Sequence, residues 1–316
     1  MPAPSGDQAV FGPVPSRRLG FSLGVDLLLP KTCTLDCVYC ELGPTTRRTT
    51  QRQRFRSARQ VLDQVERRLA SLAHPPDFIT LAGSGEPTLH LDLGLVLEEL
   101  ARLGTARLAV LTNGTLCSDP AVREELSRAD VVIPSLDAVS PEAFRRVNRP
   151  APELEVAEII EGLVSLRKQF QGEMLLEILL VQGLNDQEGE IELLGQAARR
   201  IAPDMVQLNT VVRPPALGGV RPVSHRRLAE IASGLGLPCQ VIAPPARQNG
   251  GEGKRAADQV VEMTRRRPCT VEDIAAMTGL ESSRARELVQ ELVEAGRLRP
   301  EPFGDKTFYR GTSQRG

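Results

Sequence analysis

No apolar stretch in this 316-residue chain reaches the roughly 18 residues that a membrane-spanning helix needs, which excludes a transmembrane helix. The first 30 residues lack the basic start and apolar segment of a secretory leader, so a cytoplasmic protein is expected. Net charge is nearly absent: 39 Lys and Arg stand against 40 Asp and Glu. There is no chain-wide attraction to nucleic acid, and any polyanion contact must come from a local patch. Trp is absent and Tyr occurs twice, an unusual composition that carries no function of its own. Cysteine is scarce, with six in the chain, and in a reducing compartment clustered cysteines point to metal ligation or catalysis before disulfides. His74, His90 and His225 join no constellation, and His90 reads as a local cap or a solvent-facing residue.

What is present is an alternation of strand and helix patterns over most of the chain, with enough apolar residues, 41%, for one large core or two smaller ones. Strand-like runs lie at 24–29, 77–82, 107–112, 130–135, 174–181, 204–211 and 239–243, with helix-period segments near 57–73, 91–103, 119–128, 153–170, 187–201 and 224–235. Such βα units predict an α/β fold, either a partial or complete (β/α) barrel or a doubly wound open sheet. Placement favours the barrel. The signatures KTCTLDCVYC, GSGEPTLH, TNGT and SLDA each follow a strand, as residues at the top of a barrel do.

Cys33, Cys37 and Cys40 fall within eight positions. Three close thiolates can hold zinc or three irons of a [4Fe–4S] cluster. Structural zinc wants four protein ligands, and Cys117, Cys239 and Cys269 are scattered. A cluster with three protein thiolates leaves one iron open for a substrate or cofactor. The other signatures have plainer readings when taken singly: GSGEPT as a turn with Thr88 as a cap, TNG as a common turn, SLD as the start of a helix.

Taken together, in order and after consecutive strands, they resemble the radical S-adenosylmethionine (SAM) superfamily, whose C-x3-C-x2-C signature is matched by Cys33, Cys37 and Cys40. The resemblance covers roughly residues 10–243. It implies a [4Fe–4S] cluster on those cysteines and S-adenosylmethionine on the open iron. Tyr39 would lie beside the adenine, and Gly83, Ser84, Gly85 and Glu86 around the methionyl ammonium. Asn113, Ser135 and Asp137 look like the ribose and carboxylate contacts of the branch that includes the molybdenum-cofactor GTP cyclases, a likeness continued by Asn148 and Arg149 in FRRVNRP. The implied activity is reductive cleavage of SAM to a 5′-deoxyadenosyl radical that abstracts hydrogen, fed by a reducing partner such as a ferredoxin or flavodoxin. Glycines there let backbone approach the cofactor closely, and the cofactor carries the difficult chemistry.

A narrower set, FGPVPSRRLGFSLGVDL, LLVQGLND and QLNTVVRPP, resembles the group related to wyosine tRNA synthase, which builds a tricyclic base from methylguanosine in tRNA and pyruvate. Wyosine synthases carry further N-terminal cysteines for a second cluster, and the 32 residues before Cys33 hold none. A shorter relative with one cluster and an unassigned substrate, whether RNA, nucleotide or protein, fits this chain better. Arg47, Arg48, Arg52, Arg54, Arg56 and Arg59 suit an anionic substrate or simply a solvated helix start, and Arg17, Arg18 and Arg213 are further candidates.

The glycine-rich stretch 247–254 is expected to link a barrel domain, 1–246, to a small winged helix-turn-helix domain, 255–316. Three helices, the second opened by Thr270 and the third closed by Gly296, precede a hairpin around GD. Ser282, Ser283, Arg284 and Arg286 sit where a recognition helix meets phosphates or bases, while Glu287, Glu291 and Glu294 weaken groove insertion and leave a protein-docking role open. The competing function is an iron–sulfur redox sensor that reads DNA, but a sensor needs no glycine-rich cradle. Nothing resembles a coiled coil, and no oligomeric state is assigned.

Overall fold

The computed structural model describes residues 8–242 and 255–312; the 247–254 stretch lies outside them. The larger part begins with β1 (Val10–Pro15) and β2 (Phe21–Val25), and continues through the two-residue strands β3 (Thr32–Cys33) and β4 (Arg47–Arg48) into α1 (Ala58–Ala70). There follow β5 (Phe78–Leu81), α2 (Leu93–Leu103), β6 (Arg107–Thr112), α3 (Pro120–Leu126), β7 (Val131–Pro134), α4 (Pro141–Val147) and α5 (Val156–Gln169). β8 (Glu173–Leu180), α6 (Glu188–Ile201), β9 (Met205–Thr210), α7 (His225–Gly234) and β10 (Cys239–Val241) complete it.

One sheet runs β1-β2-β5-β6-β7-β8-β9-β10, and every pairing from β2 onward is parallel. The order never reverses, which separates it from a doubly wound sheet: right-handed crossovers all in one direction put the helices on one face. β1 and β10 end the sheet without pairing to each other, so the architecture is a partial barrel.

Local sequence accounts for the helices. Ser57, Asp119, Ser140 and Ser224 accept N-terminal main-chain hydrogen bonds in α1, α3, α4 and α7. α2 buries Leu93, Val96, Leu97 and Leu100 on one stripe and stops at Gly104, whose φ of 62° a side chain would resist. Each such buried leucine contributes about 1.5–3 kcal/mol.

Two elements differ from the sequence expectation. β2 ends at Val25 instead of running on to residue 29, because the Asp26 carboxylate accepts the Leu28 and Ser84 main-chain N–H groups (both 3.1 Å) and turns the chain out of the sheet. β1 is a strand despite Pro13 and Pro15; it sits at the sheet edge with an irregular register between Phe11 and Val14, where missing N–H donors are tolerated.

The C-terminal part comprises α8 (Arg255–Arg266), α9 (Val271–Thr278), α10 (Ser282–Glu294) and the antiparallel hairpin of β11 (Leu298–Phe303) and β12 (Lys306–Gly311). This is the winged helix-turn-helix arrangement, with a full capping box of Thr270 and Asp273 opening α9. Its core of Val260, Met263, Ile274, Leu288 and Leu292 also takes in Val14 of β1. The small domain therefore covers the one antiparallel edge of the large sheet.

Candidate active site

The cysteine loop leaves β2 and is fixed by its neighbours. Thr32 forms a bridge with Gly85, and Glu86 N–H donates to the Thr32 carbonyl oxygen (3.2 Å). A Cβ on Gly85 would run into that same carbonyl oxygen, so only glycine lets the two loops meet. Each sulfur faces its own donor: Asn113 Nδ2 to Cys33 Sγ (3.5 Å), Asn148 Nδ2 to Cys37 Sγ (3.4 Å) and Lys31 Nζ to Cys40 Sγ (3.6 Å). Burial, then the nearby Glu86, pushes the Cys33 thiol up to about 12, and burial pushes Cys37 well above its ordinary value. A bound cation reverses that preference, since coordination deprotonates a thiol outright.

Beside the loop, the strand ends enclose a cavity of about 400 Å³ whose walls include Tyr39, Cys40, Gly83, Gly85, Glu177 and Asn209. A second, smaller cavity of about 50 Å³ lies on Tyr39 as well, walled by Asn113, Ser135, Asp137 and Asn148. The Tyr39 hydroxyl donates to Asp137, whose carboxylate also accepts Asn148 Nδ2 (2.7 Å) and the Leu179 N–H (2.9 Å). Burial outweighs those bonds and holds the Asp137 carboxyl up at about 6. Asn148 Oδ1 is buried without a partner, an acceptor left open beside Cys37 and Asp137.

The structure thus brings Tyr39, Asn113, Ser135, Asp137 and the three cysteines together, with Gly83 and Gly85 on the larger cavity. Ser84 and Glu86 are turned into the protein. Ser84 Oγ donates to Asp26 (2.6 Å), and the Glu86 carboxylate accepts from Thr88, Thr112 and Asn113. Among the described residues no three His, Cys, Asp or Glu converge on a single-ion site. Cys117 and Cys269 are buried in the cores of the large and small domains.

The arginines before α1 largely hold the fold. Arg52 donates to the Thr88 and His90 carbonyl oxygens (2.9 and 3.0 Å), Arg54 pairs with Asp92 (3.0 Å) and Arg56 donates to the Leu28 carbonyl oxygen (2.9 Å). His90 is fully buried, not solvent-facing, and its Nδ1 accepts the Asp92 N–H (3.0 Å). Glu177 and Asn209, strand residues facing the cavity, carry no local motif and were missed in the sequence; their alternation with buried leucines in β8 and β9 was the available signal.

A sequential parallel sheet carrying a three-cysteine loop at its strand ends defines the class: a barrel-type α/β enzyme fold with a C-terminal winged helix. Residues 27–194 match the family model of the radical SAM superfamily, more than half of the chain, and the chain belongs to that superfamily. A [4Fe–4S] cluster and S-adenosylmethionine are the cofactors of this family. Residues 263–302 match the IclR helix-turn-helix domain. The chain is 41% identical over 211 residues to a UPF0026 protein of Synechocystis, covering 66% of this chain and 77% of that one. It is 33% identical over 296 residues to a Brachyspira hyodysenteriae protein named GTPase Obg, covering 92% of this chain but only 43% of that protein's length. A GTP 3′,8-cyclase of Mycobacterium bovis is 29% identical over 124 residues, 38% of this chain and 32% of that one. The fold is that of a radical SAM methyltransferase from Sphaerobacter thermophilus, with a TM-score of 0.52 at 19% identity, over 70% of this chain and 65% of that one. No helix among the described residues is long and apolar enough to cross a membrane.

Proposed function

We propose that the protein is a radical SAM enzyme that binds one [4Fe–4S] cluster through Cys33, Cys37 and Cys40 and abstracts hydrogen from a substrate held in the larger cavity. When bound, the cluster and SAM would supply a 5′-deoxyadenosyl radical, with the electron delivered by a ferredoxin- or flavodoxin-like reductant. The chain's own residues do the rest. Asn113, Asn148 and Lys31 present N–H groups to the three sulfurs, which favours the negatively charged thiolate form. Tyr39, held by Asp137, lies on both cavities, and Gly83 and Gly85 leave room for the methionyl end. The observation that carries the reading is the donor at each of the three sulfurs, joined to the unpartnered Asn148 Oδ1 beside them.

We divide the chain at 247–254 into a catalytic barrel and a winged helix. The IclR likeness favours a second reading, a redox-sensing DNA-binding regulator. Arg284, on the helix that would meet DNA, is engaged by Glu287 and Glu291 of its own helix (2.9 and 3.0 Å), which favours the enzyme.

Anaerobic reconstitution with iron and sulfide, reduction with dithionite and assay for 5′-deoxyadenosine separates the two. The wild type is expected to form it, and Cys33→Ala, Cys37→Ala and Cys40→Ala each to lose both cluster and cleavage. A reconstituted wild type that binds a cluster but never cleaves SAM, even with cell extract, sinks the enzyme reading.

A further inference from the structure

Five arginines line the larger cavity, and their partners divide them into two kinds. Arg18 pairs with Glu177, Arg266 with Asp26 (3.2 Å), and Arg213 with Glu41 (3.3 Å) and Asp273 (3.6 Å). Arg17 and Arg267 form no ion pair among the described residues. Arg17 donates to the Asn209 side-chain oxygen (3.2 Å), and Arg267 Nε is buried with no hydrogen-bond partner. Burial, then the charges of Arg213 and Arg18, lowers the Arg17 guanidinium to about 10. Arg17, Arg213 and Arg267 line the same cavity, and the ion pairs among the three are those of Arg213 with Glu41 and Asp273, so three guanidiniums face two carboxylates and keep excess positive charge. An unmade hydrogen bond at a buried donor is costly, and a planar guanidinium matches the oxygens of phosphate or carboxylate.

The two arginines reach the cavity from different parts of the chain: Arg17 from the β1–β2 turn and Arg267 from just beyond α8 in the small domain. Met263 and Arg266 of α8 line the same space. The wing is turned inward as well, with Arg310 donating to the Glu41 carbonyl oxygen (3.2 Å) and Arg213 to the Pro268 carbonyl oxygen (3.0 Å). Resting on the radical SAM reading of this cavity, we propose that Arg17 and Arg267 clamp the phosphate or carboxylate group of a small anionic substrate, and that the winged helix is a wall of the substrate site. A polynucleotide would have to displace that wall to reach the cavity.

The test is calorimetric titration of the full-length reconstituted protein with pyrophosphate and, separately, citrate. One of the two is expected to bind, which tells phosphate from carboxylate, and binding should weaken about tenfold in Arg17→Gln and in Arg267→Gln. Arg226→Gln, on the exposed face of α7, should bind as wild type does. Should a Gln variant fail to fold, the Lys variant, which keeps the charge without the fork, is expected to bind more weakly than wild type. Equal binding by the folded variants, or no binding by wild type, overturns the clamp. So does loss of SAM affinity with anion affinity intact, or tRNA binding that is tighter than either anion and lost in the same variants. 5′-Deoxyadenosine is assayed on the same wild-type samples: its absence, with anion binding present and lost in the variants, would refute the radical reading and leave the anion site standing.

Discussion

The main-chain N–H of Asn113 donates to the Glu86 carboxylate at 2.6 Å, so the loop after β5 and the loop after β6 are fastened together. The same carboxylate accepts Thr112 Oγ1 (2.6 Å) and Thr88 Oγ1 (2.7 Å), and it is 2% exposed. Burial raises its pKa despite those bonds. Glu86 thus holds the loops after β5 and β6 in register and is a positioning residue. In Glu86→Gln one oxygen becomes an amide nitrogen that cannot accept, leaving a donor facing a donor. Urea unfolding of the apo chain should show a loss of about 1–3 kcal/mol; an unchanged midpoint would remove the bond from the account.

Gly85 tests the approach of loop to loop. Alanine there drives its Cβ into the Thr32 carbonyl oxygen, one residue before Cys33. Backbone cannot yield as a side-chain tip does, so a cost of about 1–3 kcal/mol is expected. The cysteine loop should shift with it. Iron and sulfide per chain after reconstitution should fall below wild type, and a full complement would show that the approach is not needed for the cluster.

These contacts mark where the sequence stops being readable. The strand 107–112 is matched residue for residue by β6, because a short apolar run between turn residues is a local signal. The cysteine spacing is local too. β1 was hidden by its prolines, which only an edge position excuses. Asn209, Glu177 and Arg267 reach one cavity from β9, β8 and the small domain. No window of sequence joins them, since what brings them together is the sheet order and the packing of Val14 into the small core. The arginines of 47–59 illustrate the converse: the charge run was legible, while its use on carbonyl oxygens of the same chain was not.

Lys31 bears on the electronics of the site. Its Nζ lies 3.6 Å from Cys40 Sγ and also donates to the Gly43 carbonyl oxygen. A positive donor at a ligating sulfur stabilises the more negative, reduced state. Lys31→Met should therefore shift the midpoint potential of the reconstituted protein downward in an EPR-monitored redox titration, and an upward shift would contradict the contact.

His90 predicts a pH dependence away from the cluster. Burial lowers its pKa from 6.5, and its ring nitrogens serve the Asp92 N–H and the Arg56 backbone. The unfolded chain therefore takes up the proton first as pH falls. The His90 contribution to stability is complete above 6.5 and is lost as pH drops below 6.5 toward the folded value. His90→Asn should be less stable than wild type near neutrality, and the gap should narrow in acid. Urea unfolding across about pH 5 to 8 measures it, and a gap independent of pH would refute it.

Arg213 decides whether the winged helix is fixed to the barrel by charge. Its side chain is 6% exposed and meets Glu41 on the cysteine loop, Asp273 of α9 and the Pro268 carbonyl oxygen. Burial alone would raise the Glu41 carboxyl, but Arg213 holds it below its ordinary value. Removing the guanidinium leaves Glu41 with weaker partners, whereas Asp273 keeps the Thr270 N–H it caps (3.1 Å). The loss therefore falls mainly on the seam between cysteine loop and small domain and not on α9. The Arg213 side chain is buried but Glu41 is 39% exposed, so solvent screens part of the loss; Arg213→Met should still cost about 1–3 kcal/mol and bring the small domain into an earlier unfolding step. Proteolysis between the domains should quicken before the barrel melts. A single transition with wild-type protease resistance would mean that the apolar contact of Val14 with the small core holds the domains together without the arginine.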